Sequence, residues 1–216
     1  LHQNLLAKTY THGPYQAFKI DDPKPRDIHK ADVRDRIVHH AIYRILYPYF
    51  DRQFIYDSYS CRDDKGTHRA VKRLRSMANK VSHNYTDTVW ILKCDIRKFF
   101  ANIDHETLKK ILARYISDKE VLRLMSQIID SFSTAGKNNI GLPLGNLTSQ
   151  LLVNIYMNEF DQFMKRNLKT RYYIRYADDF VVLSTSKEYL IGLLPGIASF
   201  LAVNLKLSLN FNKVFI

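Results

Sequence analysis

Three carboxylates stand out for their placement. Asp95 closes the apolar run Thr88-Val-Trp-Ile-Leu-Lys-Cys94, and Asp178-Asp179 lie between two further apolar runs, Arg171 to Tyr176 and Phe180 to Ser184. These runs read as strands, so the first acid sits at a strand end and the pair at the tip of a hairpin. Alone, Asp-Asp is an ordinary turn former, because Asp bonds its own backbone there. The apolar frame argues for more, since acids near a core are costly unless a cation or donor compensates them. Mg²⁺ prefers carboxylate oxygens and keeps several waters, so two or three converging aspartates suffice. Two such ions a few Å apart suit nucleotidyl transfer: one activates an attacking hydroxyl and the other holds a triphosphate. Asp95 and Asp178 are 83 positions apart, so tertiary folding must bring them together.

The elements that position these acids can be read from pattern. Residues 1–35 look extended and turn-rich, with Ala17 to Ile20 and Arg26 to His29 flanking a turn at Asp21-Asp-Pro-Lys-Pro25. Asp32 to Tyr47 reads as a helix whose stripe is Val33, Ile37, Ala41 and Ile45, ended by Pro48. Thr67 to Lys80 reads as a helix with a basic surface that includes His68, Arg69, Lys72, Arg73 and Arg75. Such a run is usually a solvated face, but it could also track a nucleic-acid backbone. Thr88 to Cys94 reads as a buried strand. Asp104 and Asp118 look like helix N-caps, and Gly136 to Gly145 is a loop. Ser149 to Lys169 reads as a long helix with Leu152, Ile155, Tyr156, Phe160 and Phe163 inward. Residues 187–204 suggest another helix, and Lys206 to Ile216 a turn and strand.

Bulk properties narrow the class. The chain has 216 residues, 46% hydrophobic and 25% charged, a globular composition without linker, low-complexity tract or internal repeat. The net charge of +12 favours a polyanionic partner, because neutralised phosphates release counterions. Fourteen Tyr and twelve Phe add stacking surface, most of it core. Two cysteines, Cys61 and Cys94, make neither a disulfide framework nor a zinc site, and fit a reducing, cytoplasmic setting. His39-His40 reads as part of a helix rather than as ligands. The longest apolar stretch, Ile191 to Leu205, is interrupted by Pro195 and Gly196 and reads as too short to span a bilayer. No signal peptide is visible, and no membrane association is expected.

Five motifs in order resemble those of reverse transcriptases. Tyr176-Ala-Asp-Asp179 resembles their Tyr-x-Asp-Asp box, and Leu92-Lys-Cys-Asp-Ile-Arg-Lys-Phe-Phe-Ala-Asn-Ile103 their first aspartate motif. Gly141-Leu-Pro-Leu-Gly-Asn-Leu-Thr-Ser-Gln150 resembles the motif between them, Pro25 to Arg36 the fingers motif, and Leu207 to Lys213 the motif after the catalytic hairpin. The resemblance implies an α+β right-hand polymerase. Fingers over 1–87 would precede a palm over 88–216, an antiparallel sheet backed by helices, with the thumb absent from this chain. It further implies that Asp95 and Asp178 bind both metals, that Asp179 sits close by with a weaker or indirect role, and that the carbonyl of Ile96 completes a metal shell. Phe100 matches the steric gate against a 2′ hydroxyl, and Arg26 the guanidinium that clamps the triphosphate. Lys19 is a second candidate phosphate contact, equally readable as a solvated strand lysine. Lys213 matches a lysine that protonates the leaving pyrophosphate, and is otherwise a surface lysine. The implied cofactors are two Mg²⁺ ions, with Mn²⁺ able to substitute. The implied partners are template RNA, the cDNA/RNA hybrid and dNTPs, with Arg69, Lys72, Arg73 and Arg75 as nucleic-acid contacts.

The motif between the aspartates narrows the resemblance. Many reverse transcriptases have Gln before its glycine and Ser-Pro at its end, whereas here Leu144 precedes Gly145 and Gln150 follows Ser149. An aliphatic residue followed by Gly-x-x-x-Ser-Gln resembles enzymes of diversity-generating retroelements. This implies error-prone copying at adenines, Leu144 and Gly145 as substrate-binding residues with Leu144 against the incoming nucleotide or the templating base, and a small basic accessory protein. The alternatives are a phage-defence or group II intron-like reverse transcriptase, or a non-catalytic RNA-binding module of the same fold.

Overall fold

The computed structural model describes residues 1–21 and 25–216. In chain order its elements are α1 (His2–Leu6), β1 (Gln16–Ile20), β2 (Arg26–Lys30), α2 (Val33–Asp51), α3 (Thr67–Val81), β3 (Trp90–Asp95), α4 (His105–Tyr115), α5 (Lys119–Asp130), α6 (Leu147–Gln162), β4 (Tyr173–Tyr176), β5 (Asp179–Ser184) and α7 (Lys187–Leu205). Mixed helices and antiparallel sheets bear out the expected α+β class. Packing divides the chain into two compact units, each built from two segments: Leu1–Tyr49 with Phe100–Leu152, and Phe50–Phe99 with Val153–Ile216.

In the first unit β1 and β2 form an antiparallel ribbon from Gln16 opposite Lys30 to Ile20 opposite Arg26. The turn expected between them lies in part outside the described residues. Asp104 caps α4, its Oδ1 accepting from the Thr107 N–H at 2.9 Å, and Asp118 caps α5 through the N–H groups of Glu120 and Val121. Both caps are as the sequence suggests.

Helix α2 departs from expectation twice. Pro48 does not end it. The missing N–H costs one hydrogen bond, yet the helix runs on to Asp51. The stripe Val33, Ile37, Ala41 and Ile45 faces outward, with Ile37 55% and Ile45 74% exposed. The buried face is instead Asp35, Val38, His39, Ile42 and Leu46. A polar network explains the choice. Asp35 accepts from the Tyr10 hydroxyl at 2.9 Å and the Gly13 N–H at 2.8 Å. His39 bonds His12 at 2.9 Å and the Thr148 hydroxyl at 2.7 Å.

In the second unit three strands form a sheet in the order β3-β5-β4, antiparallel throughout. Helix α3 covers one face, where Tyr59, Ala70, Met77 and Val81 pack on Ile174 and Leu183. Helix α7 packs on β3 and β5, and the Phe160 ring of α6 meets that of Phe180 at 5.0 Å. Strand β3 is half-buried rather than buried: Leu92 and Cys94 point into the core while Ile91 and Lys93 are exposed. Helix α6 ends at Gln162 and passes into a π-turn over Phe163–Asn167, earlier than the pattern suggests. The strand expected near the C-terminus is reduced to two bridges, Ile96 with Leu209 and Lys93 with Phe215, around a 3₁₀ turn at Phe211–Lys213. Pro195 lies inside α7, so the apolar stretch is not interrupted there. The helix is long and apolar enough to cross a membrane by length and composition, but Leu190, Leu193, Ile197, Leu201 and Leu205 are buried in this fold.

Candidate active site

The ladder between β3 and β5 sets two of the aspartates against each other. Asp95, the last residue of β3, is the cross-strand partner of Asp179, the first of β5. Directly opposite residues share a face of the sheet. Tyr176 is also opposite Asp179, so the hairpin loop is only Ala177-Asp178. Ala177 has φ 54°, whereas Asp178 does not have a positive φ, the sign pattern of a type II′ turn, whose twist suits a hairpin. Alanine takes that first position without glycine's freedom.

Charge accumulates here. Burial pushes the Asp178 carboxyl above the usual carboxylate range. A backbone hydrogen bond of its own opposes this, and the negative charges of Asp179 and Asp95 add to it. Asp95 accepts from the Lys213 ammonium at 2.9 Å and from the Asn210 amide at 3.1 Å. The Asp95 hydrogen bond, then its charge, raises the Lys213 pKa. Among the described residues no three His, Cys, Asp or Glu side chains converge tightly enough to enclose a metal ion as they stand. What is present is an open set of carboxylate oxygens to which one ammonium has been drawn. Its chemistry fits a hard divalent cation. Ile96 is buried beside this set and bridges Leu209.

The remaining candidates in this unit are the cations of α3. Arg73 is committed to Asp57, donating to its two oxygens at 2.8 and 3.2 Å, and Arg69 leans on Asp64. Lys72 and Arg75 are exposed. Lys65, which the sequence reading passed over, joins Arg69, Lys72 and Arg73 around a cleft of about 570 Å³ beside Tyr56, its ammonium 3.6 Å from the centre of that ring.

Five candidates belong to the other unit. Arg26 opens β2 and is exposed. Lys19 pairs with Asp27 while Arg26 pairs with Ile20, so the two cations leave opposite faces of the ribbon. Phe100 begins a 3₁₀ turn, half-buried, its carbonyl accepting from Leu142 at 2.8 Å. Phe99 is core at 3% exposure. The Leu144 carbonyl accepts from the His29 N–H at 2.9 Å, and the Asn146 amide donates to the His29 carbonyl at 2.7 Å. Gly145 has φ 102°, and a Cβ there would lie 2.7 Å from the Ile28 side chain. The motif between the aspartates is thus laced to the strand that carries Arg26.

Sequence reasoning missed Asn210 and the buried pair Arg175–Asp161. The available signal was a charge on the apolar side of an element, Arg175 within Tyr173-Ile-Arg-Tyr176 and Asp161 within the apolar helix α6.

Known proteins resemble this chain in sequence and in fold. The family model described as reverse transcriptase (RNA-dependent DNA polymerase) matches residues 19–216. Among curated proteins, YkfC of Escherichia coli is 27% identical over 99% of this chain and 65% of its own length. The group II intron-encoded protein LtrA of Lactococcus lactis is 29% identical over 75% of this chain and 27% of its own. This chain therefore spans less than two thirds of either relative. Among solved structures, apo telomerase from Candida tropicalis aligns over 95% of this chain and 44% of its own, with a TM-score of 0.68 at 12% identity, a likeness of fold.

Proposed function

This chain belongs to the reverse transcriptase (RNA-dependent DNA polymerase) family, and we propose that it copies an RNA template into complementary DNA by two-metal nucleotidyl transfer. The observation that carries this reading is Asp95 facing Asp179 across the ladder with Asp178 in the adjoining turn. Like charges opposite one another are unfavourable in a sheet, so a bound cation is the natural counterpart. The family generally works with divalent ions, and the oxygen donor set here suits Mg²⁺, with Mn²⁺ as substitute. The chemistry such ions would supply when bound is activation of the primer hydroxyl and neutralisation of the triphosphate. Asp95 and Asp178 would hold the ions, with Asp179 and the Ile96 carbonyl in support. Lys213 starts protonated, kept so by Asp95, and donates its proton to the departing pyrophosphate. Arg26 grips the triphosphate and Phe100 excludes the 2′ hydroxyl. Lys65, Lys72 and Arg75 offer charge to template RNA.

Leu144 and Gln150 favour the mutagenic retroelement type, in which Leu144 offers no hydrogen bond to fix the nascent pair and a small basic protein assists. A group II intron-like enzyme fits as well, supported by the similarity to LtrA. The test is primer extension by the full-length protein in Mg²⁺, reading both yield and errors. Asp95→Asn and Asp178→Asn should each abolish extension while leaving RNA binding intact, and near-normal extension by either sinks the metal assignment. Errors concentrated at template adenine support the retroelement type, whereas equal errors at all four bases leave the intron-like reading.

A further inference from the structure

Arg175 lies in the middle of β4 with 1% of its surface exposed, and Asp161 on α6 has none exposed. A charge so deep is costly unless every group is matched, and here every group is. Nε donates to one Asp161 oxygen at 2.8 Å and Nη2 to the other at 2.7 Å. Nη2 also donates to the Ser58 hydroxyl at 3.1 Å, and Nη1 to the Asn154 side-chain oxygen at 3.4 Å. The last of the five donors goes from Nη1 to the carbonyl of Ala177 at 2.9 Å. Asp161 additionally accepts from the Tyr173 hydroxyl at 2.6 Å.

We infer that Arg175, held flat by Asp161, is a positioning residue for Asp178. The inference rests on the reading that Asp178 holds a metal ion. The Ala177 carbonyl belongs to the peptide plane that joins Ala177 to Asp178, and that plane is rigid. Fixing its oxygen fixes where the Asp178 N and Cα lie, and so the point from which the Asp178 side chain departs. The turn needs such a hold, because alanine at φ 54° is strained and persists only when its surroundings impose it. A guanidinium suits the task, since its planar fork can clamp a carboxylate on one edge and still present a donor on the other. A lysine has no such fork. Mere filling of the core does not require it, because buried ion pairs can often be replaced by apolar residues without loss of stability. The cluster therefore acts on the metal site in the way that outer-shell hydrogen bonds orient metal ligands elsewhere.

The test is Mn²⁺ binding, read by electron paramagnetic resonance of the free ion, alongside thermal melting of the full-length protein. The double variant Arg175→Met/Asp161→Leu keeps the volume apolar and releases the Ala177 carbonyl. The expected result is a folded protein that melts somewhat below wild type, because the buried Tyr173 hydroxyl loses its acceptor, with Mn²⁺ affinity weakened about 10- to 100-fold, the range for loss of an outer-shell partner. Wild-type affinity in that variant overturns the inference. If the double variant melts well below wild type, Arg175→Lys is read instead, since it retains the charge beside Asp161 but gives up the fork. Weaker Mn²⁺ binding supports the inference, and unchanged binding overturns it. Asp178→Asn separates the two levels. If that change leaves Mn²⁺ affinity intact, the metal reading itself falls. If it weakens binding while the Arg175 variants do not, only the positioning role falls.

Discussion

Replacing Gly145 by alanine probes how the motif between the aspartates is built, and the structure sets the size of the effect. The added methyl would meet the Ile28 side chain at 2.7 Å, about an ångström inside normal carbon–carbon contact. The backbone sits at φ 102°, where an L-residue pays about 1–2 kcal/mol. Forcing a methyl into a filled space costs about 1–3 kcal/mol more. The sum, about 2–5 kcal/mol, should be visible as a lower guanidinium midpoint. The two parts can be separated. Ile28→Ala removes the obstructing atoms but leaves the backbone as it is, so in that background Gly145→Ala should cost only the about 1–2 kcal/mol of the conformational part. The double-mutant cycle should then show a coupling of about 1–3 kcal/mol. Function should follow, since Ile28 lies two residues from Arg26 on the same side of β2, so the single variant should raise KM for dNTPs more than it lowers kcat. Additivity of the two changes within about 0.5 kcal/mol, or a Gly145→Ala protein as stable as wild type, would refute the packing argument.

Acid should weaken the fold through His39. Burial, then neighbouring His12, holds its pKa down to about 4 from 6.5. The unfolded chain therefore takes up a proton that the folded one refuses, and stability present above pH 6.5 is lost as pH falls toward 4, by up to about 3 kcal/mol. Denaturant melts across that range should show the loss, and His39→Gln should flatten it; a wild-type stability independent of pH there is the contrary result. On α2, Ile37→Ser and Ile45→Ser should change stability by no more than about 0.5 kcal/mol, whereas Ile42→Ala should cost about 2–5 kcal/mol. The opposite ranking means the helix is turned the other way. Phe100→Ala should raise ribonucleotide relative to deoxynucleotide incorporation at least about tenfold, which takes only about 1.4 kcal/mol; an unchanged ratio assigns the gate elsewhere.

The sequence by itself determined the features whose cause is local. Asp104 and Asp118 cap their helices because a carboxylate one step before a helix satisfies its first N–H groups. The apolar runs around Asp178-Asp179 pair as a hairpin because so short a loop permits little else. Tertiary structure decided what depends on surfaces distant in the chain. Helix α2 carries two apolar stripes offset by one residue, about 100° around the helix, one through Val33, Ile37 and Ile45 and one through Val38, Ile42 and Leu46. Periodicity reports both equally. The inward one was selected by Tyr10, Gly13, His12 and Thr148, which supply partners for Asp35 and His39. The same holds for the strand register that sends Lys19 and Arg26 to opposite faces, and for Lys213, drawn to Asp95 from 118 positions away. Buried polar groups must find partners wherever the fold provides them, and a pattern read along the chain carries no record of which partners those are.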